Sequence, residues 1–118
     1  MLYPLGDDVD LSFLEGRELI QVSIGIYQVI FSFVGDLTIT VEDCFVIEEP
    51  KGQTTWKPEA INEASRTVCL LGRTTKEVHR SGSALELQFG DGYSLAIRPA
   101  GSRYESYQIN DGRRLFIV

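Results

Sequence analysis

The side chains in this sequence that could do chemistry are few and far apart: one histidine, His79, two cysteines, Cys44 and Cys69, and two acid pairs, Glu42-Asp43 and Glu48-Glu49. A histidine-based nucleophile needs an oriented base beside a serine or cysteine. His79 stands among Lys76, Glu77 and Arg80, a stretch that nominates no such neighbour. Cysteines 25 positions apart with a single histidine lack the close paired spacing of zinc sites, so neither a metal nor a cofactor is expected. Paired carboxylates do acid-base work only where a dry cleft raises one pKa; at strand ends they are expected to be solvated. "GDGYSLAIRPAG" carries glycines but lies between strands, whereas phosphate-cradling loops precede a helix whose N-terminus holds the anion. No catalytic residue emerges.

Charge says more. The net charge is −6, and residues 1–50 hold ten acids against Arg17 alone, a balance of −9. Residues 51–118 hold ten bases against seven acids, a balance of +3. Clustered like charges steer encounters over about a Debye length, so Glu42, Asp43, Glu48 and Glu49 are candidate contacts for a basic protein partner. Trp56 is either a lid on the core or an interface anchor, tryptophan being enriched at binding hot spots. Arg98, Arg103, Arg113 and Arg114 mix with Tyr93, Tyr104 and Tyr107 as in single-strand binders, yet the acidic whole argues against nucleic acid. No membrane association is expected either: no stretch approaches the ~18 apolar residues that cross a bilayer. The opening "MLYPLGDDVDLSFLEG" lacks the pattern of an export leader, so the expected compartment is the cytoplasm, with both thiols reduced.

The elements that would position these residues follow from period and punctuation. "DLSFLEG" reads as a short helix capped by Asp10 and stopped by Gly16. Strands follow near 18–24, 26–34, 37–42 and 44–48, rich in Ile, Val, Phe, Tyr and Thr. Three-residue loops at Val34–Asp36 and Gly90–Gly92 put Val29, Phe31 and Phe33 beside Val41, Ile39 and Leu37, and Leu85, Leu87 and Phe89 beside Ile97, Leu95 and Tyr93. A slip of one residue would turn these sets to solvent. Pro58 suits the first turn of a helix whose apolar face is Ile61, Ala64, Val68 and Leu71, stopped by Gly72. Asn110-Asp111-Gly112 predicts a closing hairpin over 104–118.

Slid by 56 positions without a gap, "LEGRELIQVSIGIYQVIFSF" falls on "LLGRTTKEVHRSGSALELQF", pairing Gly16 with Gly72, Arg17 with Arg73 and Phe33 with Phe89. The expected architecture is one domain, 1–118, carrying an internal repeat over about 10–50 and 58–109. The fold class is α+β, mainly β: a helix-plus-antiparallel-strands unit used twice, forming a twisted sheet or partly closed barrel with one main helix over its open face.

The pattern "L-x-G-R", then "VGDLTITVE" or "FGDGYSLAI", then "W-K-P" opening a helix that ends in "LLGR", and finally "YESYQI", resembles a family of small bacterial domains of unknown function, from about Leu14 to Ile109. The resemblance implies a compact domain without assigned catalytic residues, and an association with immunity-type partners of toxins. Three readings stand: a non-enzymatic, immunity- or antitoxin-like interaction module; a small-ligand binder or enzyme with a pocket between sheet and helix; and a homo-oligomer built on an exposed edge strand, for which Lys76, His79 and Arg80 look like charged blunting.

Overall fold

Period-two runs of apolar residues joined by short Gly and Asp turns build this chain almost entirely from hairpins. The computed structural model describes residues 2–4, 6, 9–57, 61–99 and 107–118. These form strands β1 (Leu2–Pro4), β2 (Leu19–Ile24), β3 (Val29–Phe33), β4 (Leu37–Val41), β5 (Phe45–Glu49), β6 (Gly52–Trp56), β7 (Glu77–Ser81), β8 (Ala84–Gly90), β9 (Tyr93–Ile97), β10 (Tyr107–Asn110) and β11 (Leu115–Ile117). One sheet runs β1-β11-β10-β4-β3-β2, the other β6-β5-β9-β8-β7. Every described pair of strands is antiparallel except β1 with β11.

The expectation of an α+β, mainly β domain, a helix-plus-antiparallel-strands unit used twice in a twisted sheet or partly closed barrel with one main helix, is overturned: the chain is mostly β, with two sheets and no such helix-plus-strand unit. The element expected to be that helix is a 3₁₀ helix, Ile61–Leu70. Among its described side chains, 64–70, the buried ones are Ala64, Thr67 and Leu70, spaced by three, while Val68 and Leu71 of the expected face stand exposed. A 3₁₀ helix has three residues per turn, so side chains at i and i+3 eclipse. Thr67 joins the buried row because its hydroxyl donates to the Ala64 carbonyl at 2.7 Å. Pro58, and the side chain of Ile61, lie outside the described residues. The shorter predicted helix is likewise a 3₁₀ turn, Ser12–Leu14, with the Ser12 N–H donating to the Asp10 carboxylate at 2.9 Å.

The loop registers place Phe31 opposite Ile39 and Leu87 opposite Leu95. The first loop keeps its three residues, with Phe33 opposite Leu37, whereas Gly90 pairs with Tyr93 and leaves a second loop of two residues, not the expected three. Gly35 and Asp36 both have positive φ, as do Asp91 and Gly92, the signature of type I′ turns. A bulge at the end of β8 takes up the odd residue.

The topology holds one surprise. After β4 the chain crosses, so β5 pairs with β9 of the other sheet, and after β9 it crosses back, so β10 pairs with β4. Phe45 faces Ile97 just as Tyr107 faces Val41, and Ile47 faces Leu95 just as Ile109 faces Ile39. Each three-strand meander is therefore completed by a hairpin from the other half. Residues 104–106, at the start of the expected closing hairpin, lie outside the described residues.

Both sheets feed one hydrophobic core. Phe31 of the first sheet meets Phe45 of the second edge-on at 5.3 Å between ring centroids, and Trp56 stacks on Phe45 at 5.1 Å. Burying a side chain of this size stabilises by about 1.5–3 kcal/mol.

Candidate interaction edge

Two edges of the sandwich, β2 and β7, are positioned by a junction of near two-fold symmetry. Glu18 bridges Thr74, its own counterpart 56 positions on. Around that bridge the bonds come in matched pairs. Gly16 N–H donates to Thr75 O and Gly72 N–H to Leu19 O, both at 2.8 Å; Leu19 N–H donates to Arg73 O and Thr75 N–H to Arg17 O, both at 2.9 Å. The two arginines of the Gly-Arg motif act as clips. Arg17 Nε donates to Phe13 O and Arg73 Nε to Cys69 O, each at 3.0 Å, tying the end of each 3₁₀ segment to the strand that follows. Arg17 Nη1 also reaches Val34 O at 2.9 Å, while the Arg73 guanidinium lies 3.3 Å over the Tyr93 ring.

From this shared junction the two edges diverge in chemistry. Along β2 and its hairpin tip, Ile20 is 56%, Ile24 45%, Ile26 66% and Tyr27 76% exposed. Val34, Val68 and Leu71 are the other large apolar side chains standing exposed among the described residues. The Gly72–Leu19 and Val34–Glu18 backbone bonds set Leu71 and Val34 beside the start of β2. The 56-residue offset gives the counterparts of these seven as Lys76, Arg80, Gly82, Ser83, Gly90, Ser12 and Glu15, with no large apolar side chain among them. The β7–β8 hairpin adopts the same strand register as β2–β3 without a large apolar side chain at the counterparts of Ile20, Ile24, Ile26, Tyr27 and Val34, so the fold does not require them there.

Sequence reasoning had singled out other residues. Glu42 and Asp43 lie in the β4–β5 connection, half-buried and buried respectively. Glu48 and Glu49 close the far end of β5, Glu48 accepting from Gln53 Nε2 at 2.6 Å. Glu42 and Asp43 thus precede β5 and Glu48 and Glu49 end it, with the buried run Phe45–Ile47 between the two pairs. Trp56 is fully buried and belongs to the core. Tyr107 is fully buried too, its hydroxyl donating to Ser83 O at 2.9 Å and its pKa pushed up by burial to about 12. With Tyr93 under Arg73, neither ring is open to a stacked base. Arg103 and Tyr104 lie outside the described residues.

Both thiols are held in their protonated form. Burial raises the pKa of Cys44, and the Asp43 charge adds to it. Burial raises Cys69 as well, helped by the charge and hydrogen bond of Glu49 beside it. His79 Nε2 sits 3.2 Å from Glu77 Oε2, both side chains largely exposed. Among the described residues no three His, Cys, Asp or Glu gather as metal ligands, and no helix is long and apolar enough to cross a membrane.

The sandwich also carries shallow hollows. The one lined by His79, Ala84, Glu86, Ala96 and Arg98 has a volume of ≈ 220 Å³ on the outer face of the second sheet. Another lies between Val9–Ser12 and β7, and a third around Glu48 and Tyr93. No residue of Ile61–Leu70 lines any of the three, so none is the pocket expected between sheet and helix.

The β2 edge was missed in sequence because each of its isoleucines reads simply as a strand former. The signal was present in the repeat, where Ile20 falls on Lys76 and Ile24 on Arg80. The model of a family of unknown function, DUF6188, matches residues 11–118. No curated protein and no solved structure matches the chain.

Proposed function

The chain belongs to this family of unknown function, and from that premise we propose that it is a protein-interaction module whose docking surface is the β2 edge. One observation carries the reading: five exposed apolar side chains, Ile20, Ile24, Ile26, Tyr27 and Val34, stand on the first copy where the second copy, in the same strand register, has charged, polar or glycine residues. Exposed apolar side chains along an unpaired strand mark interaction sites, because the strand offers backbone hydrogen bonds and its side chains offer burial. An immunity-type role resting on an acidic face is less well supported, since the four acids sit at opposite ends of β5. We place the module in the cytoplasm, a reading supported by two cysteines that form no disulfide.

A photo-crosslinking residue placed at Tyr27 and, separately, at its counterpart Ser83 tests this in cells. The expected result is a discrete protein adduct from position 27 and none from 83. Equal adducts from both positions, or none from 27, would defeat the proposal.

A further inference from the structure

Resting on that reading of the edge, we propose that the partner is a second copy of this chain, with β2 of one molecule pairing antiparallel with β2 of the other. The edge is prepared for such pairing up to a definite point. Leu19 donates its N–H to Arg73 and accepts from Gly72, so its outward groups are taken within the molecule. From Ile20 to Ile24 the strand continues as the outer edge of its sheet, and no strand among the described residues pairs with it there. A row of unpaired backbone groups flanked by apolar side chains is a template for another strand.

Charge selects the occupant. From Leu19 to Gly35 not one side chain is charged, in a chain whose net charge is −6. Two molecules of the same sign repel over most of their surfaces, and a neutral edge is where they approach with least repulsion. An edge with no charge offers nothing to steer a basic or acidic stranger, whereas two identical neutral edges satisfy the self-complementarity that a two-fold interface demands. Antiparallel pairing centred on Val22 sets Ile20 of one molecule opposite Ile24 of the other, twice across the axis. Ile20, Ile24, Ile26 and Tyr27, exposed by 45% to 76%, contribute apolar area towards the ~800 Å² per partner that specific interfaces bury. At the counterpart edge, β7, the same pairing centred on Val78 would set Lys76 of one molecule against Arg80 of the other, twice across the axis. The dimer therefore forms on one edge and not the other.

Sedimentation equilibrium of the purified chain, from low micromolar to hundreds of micromolar, provides the test, run beside the double variant Ile20→Lys, Ile24→Arg. These are the residues that the second copy carries at the same places. The expected outcome is a concentration-dependent dimer for the native chain, and for the variant a dissociation constant raised about 100-fold or more, since four apolar side chains leave the interface. A native chain that stays monomeric throughout, or a variant that dimerises equally well, overturns the proposal. Should the variant fail to fold, amide exchange of the native chain decides: Ile20–Ile24 amides must be better protected at high than at low concentration, and equal protection overturns it. The two readings fail separately. A crosslink from Tyr27 with a mass other than twice the chain removes the dimer and keeps the interaction module, whereas no crosslink and no dimer removes both.

Discussion

The two copies agree inside and disagree outside. Leu14 and Leu70 are both buried to within 1%, Phe33 and Phe89 both to 2%, and Arg17 and Arg73 each clip the carbonyl four residues behind. The hairpins β5–β6 and β10–β11 match as well: Phe45 is paired with Trp56 through the same register that brings Tyr107 to Val118. At the surface the rule reverses, and Ile20, Ile24, Ile26 and Tyr27 stand where the other copy has Lys76, Arg80, Gly82 and Ser83. A core position is constrained by close packing, which registers a change of one methylene; an exposed edge position is constrained only by what approaches it. One fold presented twice thus separates what the architecture needs from what an encounter needs.

That comparison can be broken most sharply at the matched phenylalanines. Phe33→Ala and Phe89→Ala should each cost about 3–5 kcal/mol in urea unfolding, and should agree within ~1 kcal/mol. A large disparity would mean that the two cores are not equivalent.

The next effect lies where the hairpins differ, Tyr107 standing at the place of Phe45. Burial raises the phenol to about 12 from 10, so the folded state holds its proton more tightly than the unfolded one. Its contribution is whole below pH 10 and is lost as pH climbs towards 12, on the order of 2 kcal/mol across that window. Tyr107→Phe, which makes the second hairpin resemble the first, should flatten this alkaline loss in unfolding measured from pH 9 to 12. An unchanged slope would place the titrating group elsewhere.

Turns give a smaller contrast. Gly35 has φ +90°, and a Cβ there would run into the Arg17 guanidinium. Gly35→Ala should therefore cost about 1–3 kcal/mol in unfolding free energy, combining left-handed strain with loss of the Arg17 clip on Val34. Asp91, its counterpart at φ 55°, should tolerate replacement by glycine within about 0.5 kcal/mol.

The smallest effect has the opposite sign. Thr75 stands where the first copy has Leu19, and its hydroxyl is buried with no hydrogen-bond partner among the described residues. Thr75→Val should raise stability by about 1 kcal/mol, because an unsatisfied buried hydroxyl carries its desolvation penalty into the folded state. A fall in melting temperature would point to an ordered water on that oxygen.

Strand registers were legible in the sequence because alternation has a period of two and a slip exposes the core. The pairing of Phe31 with Ile39 and of Leu87 with Leu95 follows from that alone. The 3₁₀ helix was not legible. Apolar residues at 61, 64, 68 and 71 advertise an α-helical face, while the true buried row passes through Thr67, whose polarity is hidden by a bond to its own backbone. Nor was the crossing of β5 legible: "FVIEE" fits beside either sheet, and nothing local names its neighbour. The α+β expectation failed at these two places. At the candidate edge the acids drew attention because charge is easy to count, although burial and the length of β5 divide them. The isoleucines that carry the edge became distinctive only when set against the charged residues at their counterparts.

The exchanged hairpins also set a timetable for the chain as it leaves the ribosome. β4 is made early, but its partner β10 lies some 66 residues downstream, from Val41 to Tyr107, which at about 5–20 residues per second is a wait of roughly 3–13 seconds. During that interval the first meander carries an unfilled edge lined by Leu37, Ile39 and Val41, on a nascent chain among its neighbours on the same message. The second meander waits for nothing, since β5 and β6 are already made when β9 arrives. On this order of synthesis the strands of the second meander's sheet are all made before β10 and β11, which alone can fill the open edge of β4.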